Sequence, residues 1–281
     1  MVAACVAGLV VGSVGWVSAG AGSGPGPSPD AAPVTTVAPP PGQLVFADEF
    51  DSDALDGTKW STCHWWNDNG CTIITNDELE WYVPEQVGLA DGHLNLTVDR
   101  RGIDGTNGNR YEYVSGMISS GPRVFQGPSS FSFTYGTIEA RVFAPRGNGH
   151  WAAIWLLAAS SNHVPEIDIV EIVGNDPNEM IMSFHPADET SERVSNQIRL
   201  SDEELGDGWV DVRVDWTPGA IVWSINGVEQ ARVEGADVPA EPMYVIANLA
   251  EGGTLPGPPS ADTVFPATFQ VDYIRVWQEA P

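Results

Sequence analysis

The sequence predicts an all-β domain, an antiparallel two-sheet sandwich, and three observations carry that prediction. From Gln43 onward, short runs of alternating apolar and polar residues recur, each bounded by Gly, Pro, Asn or Asp. That is the pattern of half-buried strands. Helical periodicity is scarce, and Ser201-Asp202-Glu203-Glu204-Leu205 is long enough for only one turn. The run Ala220–Ile225 ends on Asn226-Gly227, two residues that tolerate the left-handed backbone of a two-residue hairpin. Many strands at short spacing, without an internal repeat, favour two sheets packed face to face.

Residues 1–19 are small and apolar and end Val17-Ser18-Ala19, which reads as a signal peptide. Nineteen apolar residues would also serve as an uncleaved N-terminal anchor. Residues 20–42 are Gly, Pro, Ser, Ala, Thr and Val with one acid, Asp30, a linker with no core to bury. Residues 43–281 are left to fold as one domain. Their clearest strands are His93–Val98, Thr137–Phe143, Trp209–Trp216 and Ala220–Ile225. A chain of this length can bury a sizeable core.

Charge narrows the partners. Thirty-eight acids face 12 bases, a formal net charge of −26. Phosphate backbones and anionic membranes both demand basic patches, so nucleic acid and membrane binding are disfavoured. A neutral polysaccharide is compatible with such a surface, and solubility is its plainest purpose. Cys63 and Cys71 flank a short loop, His64–Gly70. In an exported protein they read as a disulfide staple, the alternative being two buried thiols. Trp65 and Trp66 on that loop form either a substrate rim or packing over it. The five His are scattered without zinc-ligand spacing.

The densest chemistry lies in Glu166-Ile167-Asp168-Ile169-Val170-Glu171. In a regular strand Glu166 and Asp168 share a face, and Glu171 points the opposite way. One extra residue near Ile169-Val170, a β-bulge, would return Glu171 to that face. Two glutamates then come within reach of the ~5–5.5 Å carboxyl separation that retaining glycoside hydrolysis uses.

This hexapeptide is similar to the E-x-D-x-x-E signature of glycoside hydrolase family 16, in its bulged, laminarinase-like branch. Phe46–Phe50 with Leu55–Trp60, Gly136–Arg141, Trp151–Leu157, Asn248-Leu249-Ala250 and Val271–Val276 follow in the family's order. The resemblance covers about residues 43 to 279. It implies a β-jelly roll with a concave substrate cleft, and a secreted, retaining endo-β-glucanase acting on β-1,3-linked, laminarin-like glucan. Glu166 is then the nucleophile, Glu171 the acid/base, and Asp168 the carboxylate between them. It also implies that Trp151 and Trp155 wall the cleft, that His185 lies beside Glu171, and that Asn76, with Glu80, stands on the cleft edge. Trp209, Trp216, Trp223 and Trp277 are expected in the core. A structural calcium is implied at Glu49, Asp272 and a carbonyl near Gly92, with no cofactor for catalysis. A monomer is expected. Met117 and Leu255 stand where the family often places a basic residue and a tryptophan, so a weaker sugar grip is expected there. The alternatives are the same fold on agar, carrageenan or mixed-linkage glucan, and a non-catalytic glucan-binding module.

Overall fold

Alternation along each strand decides which side chains meet in the core, and His150–Ala158 shows it plainly. Ala152, Ile154 and Leu156 turn inward, while Trp151, Ala153, Trp155 and Leu157 turn to the other face of the sheet. The structure is a computed structural model that describes residues 38–64, 71–124, 127–160, 164–188 and 193–279. The signal or anchor segment, most of the linker, Trp65 and Trp66 lie outside the described residues.

In chain order the strands are β1 (Gln43–Asp48), β2 (Glu80–Tyr82), β3 (Val87–Ala90), β4 (His93–Val98), β5 (Ile103–Asp104), β6 (Arg110–Tyr111), β7 (Tyr113–Ser115), β8 (Met117–Ser119), β9 (Gly136–Phe143), β10 (His150–Ala158), β11 (Glu166–Val173), β12 (Glu179–His185), β13 (Val194–Arg199), β14 (Val210–Thr217), β15 (Ala220–Ile225), β16 (Val228–Glu234), β17 (Met243–Glu251) and β18 (Ala267–Gln278). One sheet runs β16-β15-β14-β9-β18-β4-β3, with β1 added on β18. The other runs β13-β12-β11-β10-β17-β8. All pairs in both sheets are antiparallel, and neighbours distant in sequence make this an antiparallel jelly-roll sandwich. The expected single turn of helix forms at α1 (Asp202–Leu205). There the Ser201 hydroxyl accepts the Glu204 N–H while the Glu204 carboxylate accepts the Ser201 N–H, a reciprocal cap. At the β15–β16 hairpin, Asn226 and Gly227 both adopt positive φ, 50° and 73°.

Between the sheets lie Trp216, Trp223, Phe184 and Phe269, all fully buried. Trp209 and Trp277, expected beside them, are half-buried on the outer face. Strand parity is the reason: Val210, Val212, Val214 and Trp216 point inward on β14, so position 209 points out. Trp209 instead stacks on His93 at 4.8 Å, with the Arg141 guanidinium 5.8 Å from its ring. Among the described residues no helix is long and apolar enough to cross a membrane.

Candidate active site

The site begins with a register break in β11. On one side, consecutive residues Ile154 and Trp155 of β10 pair with Val170 and Asp168, so Ile169 is supernumerary. On the other, the ladder with β12 shifts between Asp168 and Glu171. The expected bulge is therefore present where the alternation required it. Ile169 and Val170 both enter the core, and Glu166, Asp168 and Glu171 emerge on the opposite face, lining one pocket of about 150 Å³. From the opposite sheet, the Trp223 indole N–H crosses the core and donates to the Asp168 carbonyl at 2.8 Å. That bond gives a buried carbonyl at the bulge a partner. Sequence reasoning placed Trp223 in the core and missed this role, for which the sequence carries no signal.

Electrostatics distinguishes the two glutamates. Burial first, and then the Asp168 charge, push Glu171 up to about 8, while Arg193, Trp151 and Ser183 pull it down. The Ser183 hydroxyl donates to Glu171 at 3.4 Å. The Trp151 indole N–H acts on the same carboxylate without completing a well-formed hydrogen bond. Glu166 is held well above the usual carboxylate range by burial, Asp168 and Glu171. It is nevertheless the wetter of the two, with 23% of its side chain exposed.

His185 was expected beside Glu171 and is found four β12 residues from the position that faces Glu171. It pairs with Glu166 across β11–β12, whereas Glu171 faces Ile181. Its Nε2 lies 3.2 Å from Asp168 Oδ2 and 3.5 Å from Glu166 Oε1. The length of strand explains the difference: Glu171 lies five residues beyond Glu166 on β11, and the bulge recovers only one residue of that offset against β12. Ligand atoms of Glu166, Asp168 and His185 lie within 4.8 Å of one another, the one such group among the described residues.

Trp151, Trp155 and Asn76 line the same pocket as the three acids. Glu80 does not. It is fully buried and its Oε2 accepts the Glu251 N–H at 2.8 Å. Glu78 and Asn248 take part in the pocket instead, and both were missed. Asn248 had a legible signal, as a lone amide in the otherwise apolar run Met243–Ala250. Met117 also departs from expectation. It is wholly buried, packed with Tyr82, Trp155 and Tyr244 beneath the pocket, so it is a core residue and not a surface of the cleft. Leu255 is exposed, at 42%.

Cys63 and Cys71 form the expected disulfide, with Cα atoms 5.1 Å apart. Of the residues expected to hold calcium, Glu49 is gripped by the Arg275 guanidinium at 2.8 and 2.6 Å. Asp272 lies 3.9 Å from both His93 and Arg141, and Gly92 has φ of 75°. Calcium prefers a cage of uncommitted oxygens, so an ion there would have to displace Arg275 from Glu49.

Comparison with known proteins agrees with this geometry. A family model described as glycosyl hydrolases family 16 matches residues 75–275. Endo-1,3-1,4-beta-glycanase EglC of Rhizobium meliloti (strain 1021) is 34% identical over 249 residues, which are 83% of this chain and 51% of that protein. Glucan endo-1,3-beta-glucosidase A1 of Niallia circulans is 30% identical over 269 residues, 84% of this chain and 38% of that protein. The chain thus spans about half the length, or less, of these curated relatives. The solved structure of an endo-beta-1,3-glucanase from Pyrococcus furiosus superposes with a TM-score of 0.73 at 27% identity, covering 85% of this chain and 95% of that one.

Proposed function

The chain belongs to glycosyl hydrolases family 16, and on that premise we propose that it is a secreted endo-β-glucanase cleaving β-1,3-linked glucan with retention of configuration. The observation that carries this reading is the bulge, which turns Glu166, Asp168 and Glu171 into one pocket. Glu171, pushed up to about 8, holds its proton at neutral pH and can give it to the departing glycosidic oxygen. Glu166 attacks the anomeric carbon as that C–O bond breaks, forming a glycosyl ester. It is the more exposed of the two glutamates, and His185 Nε2 lies 3.5 Å from its carboxylate. Glu171, now ionised, takes a proton from water, and the water oxygen displaces Glu166 to release a product of unchanged configuration. Asp168 lies between, its carboxylate 3.2 Å from His185. The indoles of Trp151 and Trp155 supply apolar faces for sugar C–H surfaces.

The linkage follows the 1,3-glucanase names of the Niallia and Pyrococcus relatives. A mixed 1,3-1,4 linkage is the second reading, favoured by the name of EglC. Secretion rests on the small, apolar residues 1–19, and a calcium at Glu49, Gly92 and Asp272 would serve stability alone.

Release of reducing ends from a panel of β-1,3-glucan, mixed-linkage glucan, agar and carrageenan tests the assignment. Proton NMR of the first-formed product should show the β-anomer. Inactivity on both glucans, or an α-anomer first, overturns the reading.

A further inference from the structure

A chain of hydrogen bonds of one direction runs through the wall of the pocket. Trp155 Nε1 donates to Asn248 Oδ1 at 2.8 Å. Asn248 Nδ2 donates to the Tyr82 hydroxyl at 3.0 Å, and that hydroxyl donates to Glu78 Oε2 at 3.3 Å. From the other side Asn76 Nδ2 donates to Glu78 Oε1 at 3.0 Å, and the Ile73 amide to Oε2 at 3.3 Å. Every donor points toward Glu78.

The two chemical ends set this polarity. An indole N–H can only donate, so Asn248 must turn its carbonyl to Trp155 and its amide to Tyr82. The phenol oxygen then accepts, and its own proton must go onward. Only a group that accepts at both oxygens satisfies Tyr82, Ile73 and Asn76 together, which is what a carboxylate does. Tyr82 is fully buried, and burial with Glu78 and Glu80 nearby holds its proton firmly. Trp155, Asn248, Glu78 and Asn76 all line the pocket that holds Glu166 and Glu171.

We propose that Glu78 is a positioning residue for substrate binding, its carboxylate terminating a one-way chain that orients Trp155, Asn248 and Asn76 toward the sugar. This rests on the reading of the pocket as a glycan cleft. Glu78 itself does no proton transfer, since donors occupy both its oxygens. Asn248 keeps one amide hydrogen uncommitted by the chain, available to a sugar hydroxyl. Because the links from Trp155 to Glu78 are in series, a cut at Tyr82 or at Glu78 loosens Asn248 and Trp155 alike, a cut at Glu78 also loosens Asn76, and the two cuts are not additive.

The test compares Glu78→Gln, Tyr82→Phe and the double variant. KM and kcat are measured on the β-glycan that the parent cleaves best, and binding of a β-1,3-linked glucose hexamer is measured by calorimetry in a Glu166→Gln background. Each single variant should raise KM, and weaken hexamer binding, by about tenfold, with kcat within about twofold. The double variant should be no more than about twofold worse than Glu78→Gln alone. Tyr82→Phe keeps the buried ring and serves as the measurable variant if Glu78→Gln does not fold, with thermal melting as the check. Unchanged KM in Tyr82→Phe, multiplying effects, or a fall confined to kcat would each overturn the proposal. A parent that binds glycan but cleaves none refutes the catalytic reading instead, and the binding constants still decide the chain.

Discussion

Two sets of three acids, all but Glu166 buried, lie in this fold and are held in opposite ways. On β11, Glu166, Asp168 and Glu171 open into the pocket, and Glu171 is met by a long bond from Ser183 and by the Trp151 indole without a well-formed bond. In the other set, Glu78 at the pocket wall accepts from Asn76, Tyr82 and Ile73, and behind it Glu80 accepts the Glu251 amide and Glu251 pairs with His150 at 2.6 Å. Burial is the largest influence on both sets, raising Glu171 and Glu166 in the first and Glu78, Glu80 and Glu251 in the second. A raised pKa therefore marks burial in either place. What separates a reacting acid from a structural one is an oxygen that faces the cleft without a strong donor.

The largest effect should come from neutral isosteres placed in each set. Glu166→Gln or Glu171→Gln should lower kcat by about 10³-fold or more with little change in melting temperature. Glu80→Gln should keep activity within about threefold, and a loss as deep as that of Glu171→Gln would erase the distinction between the two sets.

Met117 lies in the layer between them, against Tyr82 and Trp155. Met117→Arg should cost about 3–5 kcal/mol in urea unfolding, because it buries an unpaired guanidinium. A stable variant with lowered KM would instead return this position to the cleft.

Trp223→Phe probes the bulge that opens the first set. Leaving the Asp168 carbonyl buried without its indole donor should cost about 1–3 kcal/mol. It should also lower kcat more than it changes KM, since the carboxylates shift while the sugar platforms stay. Stability loss with unaltered kcat would show that the bulge holds without Trp223.

The smallest effect concerns the one weak donor in the open set. Activity should fall on the alkaline side as Glu171 loses its proton near pH 8, a value shared by the coupled cluster. The Ser183 hydroxyl favours the charged form, so Ser183→Ala should move that limb upward by less than about one unit. A downward move would contradict the donor assignment. The same group has a stability signature. Its folded value lies above the ordinary 4.5, so its contribution is full below that pH and is lost as pH rises through about 8. Glu171→Gln should flatten that part of the stability profile.

The sequence by itself determined the strand-rich sandwich, the Asn226-Gly227 turn, the capped helical turn at Ser201 and the face shared by Trp151 and Trp155. It also required the bulge at Ile169-Val170, because Glu171 could not otherwise leave the apolar layer. All of these are consequences of side-chain period and turn chemistry, which are local. Only the tertiary structure decided that His185 meets Asp168 and Glu166 and not Glu171, that Met117 is core, and that Trp209 lies outside it. It alone placed Glu80 behind the cleft and Glu78 within it, and brought the Trp223 indole across the core to the Asp168 carbonyl. Each of these depends on ladder register or on contact between opposite sheets. A two-residue period states which face a side chain takes, but not which partner waits there.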